Sequence, residues 1–350
     1  MLSLGNHRNH FYVPRHWSGI SSTTSSLVFT GYSFEVYLMP KFVSQFKLLK
    51  VLEVSSVDYN FSWVISKLVH LRYVAAKIDV APSLAKLWKL QTIVLRNFTR
   101  GDFHLPLEIW TMSEIRHLDI ASDIDTGIHM PNPLEVESLC IGEQPLFLNN
   151  LQKLVLPSSP FLAEILRRTP NLKKLQIVDM KHADWPAILD SLILLQELET
   201  LAIKAERNID RIILPRNIFL PNLKQLRLSK TYFPWEDMVA LANLPNLEVL
   251  KTRYAFWGTD WTLNEDVVFH KLKYLLIESA YNLERWEAAS DNFPMLEQLL
   301  LFGLQNLEEI PQSIGEIMAL KFIQIQWCSS AAVTSAKKIQ EEQKTVEMMA

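Results

Sequence analysis

The chain has 350 residues, 49% apolar, 10% aromatic and 21% charged, with a formal net charge of −3. It is too apolar to stay disordered and too near neutral to select nucleic acid through its field. Two cysteines, Cys140 and Cys328, make no disulfide framework and fit a reducing compartment.

Residues 1–20 carry His7, His10 and His16 but no apolar core of a secretory signal. The histidine spacing matches no zinc pattern, and no cysteine or carboxylate cluster supports it, so no metal site is expected. The segment reads as a loosely ordered leader. The longest apolar run, Leu27 to Val43, is broken by Gly31, Glu35, Pro40 and Lys41, so no transmembrane segment is expected.

From there one phrase recurs: an apolar residue, two others, Leu, two others, Leu, one other, then usually another apolar residue. It is clearest in FLPNLKQLRL, NLPNLEVLKT, VFHKLKYLLI and NFPMLEQLLL, where the third apolar residue falls at Leu226, Leu250, Leu275 and Leu299. Going back to the start, that position falls at Leu52, Val74, Ile93, Leu118, Leu139, Leu154, Leu175 and Leu201, and a last copy follows at Ile323. A further copy centres on Leu27 and Phe29. The step from Leu139 to Leu154 is short for a repeat, so a distorted turn is expected around Ile141 to Asn149. The phrase L-x-x-L-x-x-L-x-L at this period is the signature of a leucine-rich repeat.

The end of each phrase is a short strand with alternate side chains inward. One repeat cannot bury its own apolar face, so neighbours stack, and the core has no size limit. The expected fold class is α/β: a leucine-rich-repeat solenoid, a curved horseshoe with a parallel β-sheet on the concave face. Short helices and irregular segments take the convex face. About fourteen repeats fill residues 21–330.

Helices are expected in some connections. Ser159-Pro160 precedes FLAEILRR as a cap with Pro at the first turn, and Asp184-Trp185-Pro186 precedes AILDSLILL. Pro234-Trp235-Glu236-Asp237 places acids before MVALANL, where the helix dipole favours them. Leu105-Pro106 and Ile310-Pro311 point to extended or 3₁₀ segments. Residues 331–350 lack the phrase and read as a polar helical cap and tail, with Lys337–Glu341 and Lys338–Glu342 pairs four apart.

Two sequons, Asn60-Phe61-Ser62 and Asn97-Phe98-Thr99, read as chance matches without a secretory route. Only 9 glycines occur, unlike the L-x-G-x-I-P repeats of extracellular plant receptors. No phosphate-cradling G-x-x-x-x-G-K-[ST] loop, G-x-G-x-x-G, H-E-x-x-H, G-x-S-x-G or C-x-x-C is present. The chain therefore reads as no enzyme, with no catalytic residues, cofactor or metal.

The strand residues flanking the buried pair face the concave side. There Arg227, Lys251, Arg253, Tyr274, Phe302 and Phe322, followed by Trp327, are the candidate partner-binding residues. Aromatics beside cations are the composition of interface anchors. Packing of Tyr274, Phe302 and Phe322 against the capping segment is the other reading. Tyr73, Arg96, His117 and Asp119 hold equivalent positions in earlier repeats.

The stretches between the generic phrases carry a resemblance. Leu105-Pro106-Leu107-Glu108-Ile109-Trp110-Thr111-Met112, followed by Ile115-Arg116-His117-Leu118, resembles a repeat of plant intracellular nucleotide-binding leucine-rich-repeat disease resistance proteins. Trp235-Glu236-Asp237-Met238 with Leu244 to Lys251, Trp286-Glu287-Ala288 with Phe293-Pro294, and Leu307 to Pro311 with Ile314-Gly315 are similar to other repeats of that family. Cys328-Ser329-Ser330 to Ser335-Ala336, then Ile339 to Gln343, resembles the close of its late blight resistance class. Residues of about 45–345 share the likeness. The resemblance implies a cytoplasmic recognition scaffold in plant defence, sensing a pathogen effector or guarded host protein and restraining a nucleotide-dependent switch domain. This chain has no coiled coil and no nucleotide-binding residues to carry that switch. A substrate-recognition arm of a ubiquitin ligase, or another repeat-only adaptor, stays open.

Overall fold

A computed structural model describes residues 2–4, 24–29, 39–78, 84, 86–97, 103–122, 128–135, 147–157, 159–180, 185–205 and 220–349. The chain forms two compact units, Met1–Leu172 and Lys173–Ala350.

In the first unit, seven described strands form one parallel ladder: Leu2–Leu4, Ser26–Phe29, Val51–Glu53, Tyr73–Ile78, Thr92–Asn97, His117–Ser122 and Lys153–Pro157. Leu27, Leu52, Val74, Ile93, Leu118 and Leu154 stand in register along it, and none is more than 1% exposed. Two residues on, Phe29, Val54, Ala76, Leu95, Ile120 and Leu156 are buried as well. Full burial of one such large apolar side chain contributes about 1.5–3 kcal/mol, so the repeated phrase is itself the main source of stability.

His117–Ser122 pairs directly with Lys153–Pro157, Leu118 against Leu154, with no described strand between them. The rung expected at Leu139 and the distorted turn expected at residues 141–146 lie outside the described residues. So do His7, His10 and His16. Within the stretch read as a leader, Leu2–Leu4 pairs in parallel with Leu27–Phe29.

The connections of this unit hold short helices at Met39–Val43, Ser62–Ile65 and Leu162–Arg167, and a 3₁₀ turn at Leu107–Thr111. Pro106 is extended (φ −72°, ψ 147°), as its ring and missing N–H require before a helical turn. Trp110 Nε1 then donates to the Pro131 carbonyl at 2.9 Å, tying the turn to the next connection. At Ser159 the helix opens two residues later than the cap signal suggests. Ser159 Oγ accepts from Phe161 N at 3.2 Å, and the helix starts at Leu162.

In the second unit the parallel strands are Lys174–Met180, Thr200–Ala205, Gln225–Ser229, Val249–Arg253, Tyr274–Glu278, Gln298–Phe302 and Phe322–Gln326. One inward row runs Leu175, Leu201, Leu226, Leu250, Leu275, Leu299, Ile323. The other runs Ile177, Ile203, Leu228, Thr252, Ile277, Leu301, Ile325. Thr252 is the polar exception, 2% exposed, and its hydroxyl donates to the Leu276 carbonyl at 3.0 Å. A buried hydroxyl with a partner costs little; without one it would cost several times more.

The strand entries carry a second period. Their residues alternate in sign: Lys173, Glu199, Lys224, Glu248, Lys273, Glu297, Lys321. The backbone bonds of adjacent entries place them side by side. Lys224–Glu199 and Lys273–Glu248 lie 3.7 and 3.3 Å apart, and Lys321 contacts Glu297. The hydrogen bond from Lys321, ahead of the charges of Lys321 and Lys273, holds the Glu297 carboxyl below its ordinary range. Exposed pairs of this kind contribute little to stability. Their larger effect is to keep like charges from stacking, which is unfavourable between directly opposed side chains.

Each strand of this unit from Gln225–Ser229 onward exits through a left-handed residue: Lys230, Tyr254, Ser279, Gly303 and Trp327, with φ between 50° and 72°. Four of these five are not glycine, at about 1–2 kcal/mol each. In the connections, Trp235, Trp261 and Trp286 stack face to face at 5.0 and 4.7 Å, and all three indole N–H groups are buried without an acceptor. Stacking and burial of three large rings outweigh the roughly 1–3 kcal/mol that each orphan donor costs.

The helix Ser330–Met349 closes the unit, beginning one residue before the expected cap. Ala332 and Ile339 are buried, Ile339 against Gly315 of the 3₁₀ turn Gln312–Glu316, and Gln343 Nε2 donates to the Gly315 carbonyl at 3.0 Å. Gly315 is needed there, since a Cβ would sit 2.8 Å from Ile339 Cγ2.

Candidate partner-binding face

The open face of each sheet is built from strand residues that alternate with the inward rows. In the second unit three such rows result. They run Thr200, Gln225, Val249, Tyr274, Gln298, Phe322; then Ala202, Arg227, Lys251, Leu276, Leu300, Gln324; then Lys204, Ser229, Arg253, Glu278, Phe302, Gln326.

The register brings some of the candidate residues together and separates others. Arg227 and Lys251 are lateral neighbours in the middle row. Lys251 Nζ sits 4.7 Å over the Tyr274 ring, one strand on. Such a cation over an aromatic face is worth about 0.5–1 kcal/mol when exposed. Arg253 Nε lies 3.2 Å from Glu278 Oε1, and its guanidinium is 6.0 Å from the Tyr254 ring centre. Its side chain stays 61% exposed, so it can exchange Glu278 for another carboxylate. Phe302 is half-buried beside Glu278 in the third row. Phe322 stands two strands from Tyr274 and borders the C-terminal helix instead. Phe322 stays 44% exposed and lines a groove that separates it from the C-terminal helix, while Tyr274 lies under Lys251. Trp327 is not on the face. It is the left-handed residue just past the last strand, 78% exposed.

The strand exits add residues that the repeat phrase did not single out. Tyr254 and Tyr281 pack edge to face at 5.6 Å with hydroxyls 3.3 Å apart. Tyr232, Trp257 and Tyr281 are between 36% and 43% exposed. Of these, only Tyr254 directly follows its strand, and only backbone geometry shows that it turns left-handed there.

In the first unit the equivalent face is a closed polar network. Tyr73 donates to Glu53 at 2.7 Å, and Thr92 Oγ1 lies 3.2 Å from His117 Nδ1. Asp119, only 7% exposed, has Lys153 Nζ at 3.0 Å and Arg96 Nη1 at 2.8 Å. Arg96 directs its N–H groups to the Leu95 and Asp119 carbonyls, so its contact with the carboxylate is one of charge rather than an aligned hydrogen bond. Burial, then the hydrogen bond to Glu53, then the charges of Glu53 and Asp119 push the Tyr73 hydroxyl up to about 12. No described group of three or more His, Cys, Asp or Glu residues is placed to hold a metal, and no described helix is long and apolar enough to cross a membrane.

Strands stacked in parallel at a repeated period, joined by short helical and irregular connections and burying matched apolar rows, define a leucine-rich-repeat protein. The chain belongs to that family: the model of the leucine-rich repeat region matches residues 25–349. It is 31% identical over 344 residues to late blight resistance protein homolog R1B-16 of Solanum demissum, covering 93% of this chain and 25% of that protein. To a second late blight resistance protein homolog of the same plant it is 33% identical over 351 residues, covering 93% of this chain and 43% of the relative. The chain thus spans less than half the length of these relatives. A solved internalin from Listeria monocytogenes shares the fold at a TM-score of 0.53 and 16% identity, covering 91% of this chain and 86% of the internalin.

Proposed function

We propose that the chain is a non-catalytic protein-recognition scaffold, the effector-sensing and autoinhibitory repeat domain of a cytoplasmic plant resistance protein. Its partners are a pathogen effector or a guarded host protein, and the nucleotide-dependent switch domain that the repeats restrain. Arg227, Lys251, Arg253 and Tyr274 form the centre of the binding face, with Phe302, Phe322 and Trp327 at its borders. The observation that carries this reading is the cluster of Arg253, Lys251 and Tyr274 on adjacent strands, with Lys251 and Tyr274 half-buried and Arg253 exposed beside its Glu278 partner. Likeness to late blight resistance homologs supports the biological setting.

The test is a pull-down with the cognate effector, or with a switch domain supplied as a separate chain. The triple change Lys251→Ala, Arg253→Ala, Tyr274→Ala should abolish capture at an unchanged melting temperature, because anchors at an interface centre typically lose about 2 kcal/mol or more each. Asp190→Ala with Glu197→Ala, exposed outside the strands, should leave capture intact. A folded triple variant that still binds normally would remove this face from consideration.

A further inference from the structure

We propose that the outer edge of the last strand, Phe322–Gln326, is a docking site for an extended segment of a protein partner. The segment adds as one more parallel rung. It carries an acidic residue followed, two and four positions on, by apolar side chains.

The backbone comes first. Phe322 N donates to the Glu297 carbonyl, and the Gln326 carbonyl accepts from Gly303 N. A parallel ladder directs the groups of alternate residues to one neighbour. The N–H and C=O of Ile323 and Ile325 therefore point outward, and no described strand pairs with them. The chain does not continue the sheet here; it turns into the helix Ser330–Met349.

The side chains agree. Leu299 and Leu301 are fully buried, but Ile323 and Ile325, next in the same rows, are only half-buried. The helix covers the end of the core without closing on the strand. A groove of about 290 Å³ remains, walled by Phe322, Ile323 and Ile325 on one side and by Val333, Ala336 and Ile339 on the other. Strand addition supplies main-chain bonds along such an edge, and alternate side chains fill the pockets.

Charge complementarity identifies the occupant. Along the strand entries every acid lies between two lysines, as Glu297 lies between Lys273 and Lys321. Lys321 has an acid on one side only. The next position of the alternation calls for a carboxylate, and the next positions of the inward rows call for two apolar residues. A second copy of this chain does not meet these terms. Two copies meeting edge to edge about a twofold axis would run antiparallel, and residues 321–327 hold no carboxylate to offer.

The probe is a fluorescein-labelled peptide copying Gln196–Ala205, which carries Glu199, Leu201 and Ile203 at the required spacing. It should bind the full chain saturably with a Kd below about 1 mM. It should also slow hydrogen exchange at the Ile323 and Ile325 amides. Ile325→Lys, an inward charge of the kind that blunts natural edges, should weaken binding by about tenfold or more. Because that change can also unsettle the last repeat, a second arm leaves the protein untouched. A peptide with Glu199→Lys should bind several-fold more weakly at low salt, with the difference fading at high salt. No saturable binding, unchanged exchange at the two amides, or equal binding of both peptides would overturn the proposal. So would a dimer in sedimentation that Ile325→Lys dissociates, since the occupant would then be a second copy.

Discussion

The two units use the same rung for opposite ends. In the first, the open face around Asp119 spends its charges on itself: Arg96, Lys153, Tyr73 and Glu53 are all engaged within the sheet. In the second, Arg227, Lys251 and Arg253 look outward, and Arg253 has only an exposed pairing to give up. The strand entries invert this contrast. Lys50, Arg72, Gln91, Arg116 and Gln152 hold the entries of the first unit without a single acid, whereas the second alternates lysine and glutamate throughout. Stability in a repeat ladder comes from the inward rows, which both units share. The remaining positions are therefore free to be closed in one place and left open in another.

The largest expected effect tests the part the units have in common. Leu118→Ala in the first unit and Leu250→Ala in the second, both 0% exposed, should each cost about 2–5 kcal/mol, measured by denaturant unfolding. Arg227→Ala, on the open face, should change the midpoint little. Equal losses from Leu250→Ala and Arg227→Ala would break the division into inward and outward residues.

Next is the closed network. Asp119→Ala leaves Arg96 and Lys153 facing each other without their shared carboxylate. Breaking a fully buried pair costs about 3–5 kcal/mol, but Arg96 and Lys153 stay partly in water, so about 1–2 kcal/mol is expected here. Lys251→Ala, the corresponding test in the second unit, should cost well under that. If both changes cost the same, the contrast between a closed and an open face is lost.

The smallest effect is one of pH. The Tyr73 hydroxyl holds its proton more tightly in the folded chain, up to about 12 against an ordinary value of 10.0. A group raised on folding stabilises fully below its unfolded value and loses that contribution as pH rises through the folded one. Melting followed from pH 9 upward should therefore show stability falling between about 10 and about 12, with Tyr73→Phe flattening part of that slope. An identical slope in both proteins would mean that Tyr73 is not held by Glu53 as described.

The sequence by itself determined which residues face the core, because burial of an apolar side chain every second strand position is a local pattern repeated at a nearly fixed period. It also determined the short helices Leu162–Arg167 after Pro160 and Met238–Ala242 after Pro234, the turns after Pro106 and Pro311, and a polar helix within residues 331–350, since prolines, caps and charge pairs act within a few residues. Only the tertiary structure decided which phrases are neighbours. Leu118 pairs directly with Leu154, a longer step along the chain than any other in its ladder. Nor does the period say that Asp119 is buried between Arg96 and Lys153, that Lys251 covers Tyr274, or that Tyr254 and Trp327 leave their strands left-handed. Those are contacts between residues 23 to 34 apart in the chain, or backbone choices that cost energy locally and are held by the stack.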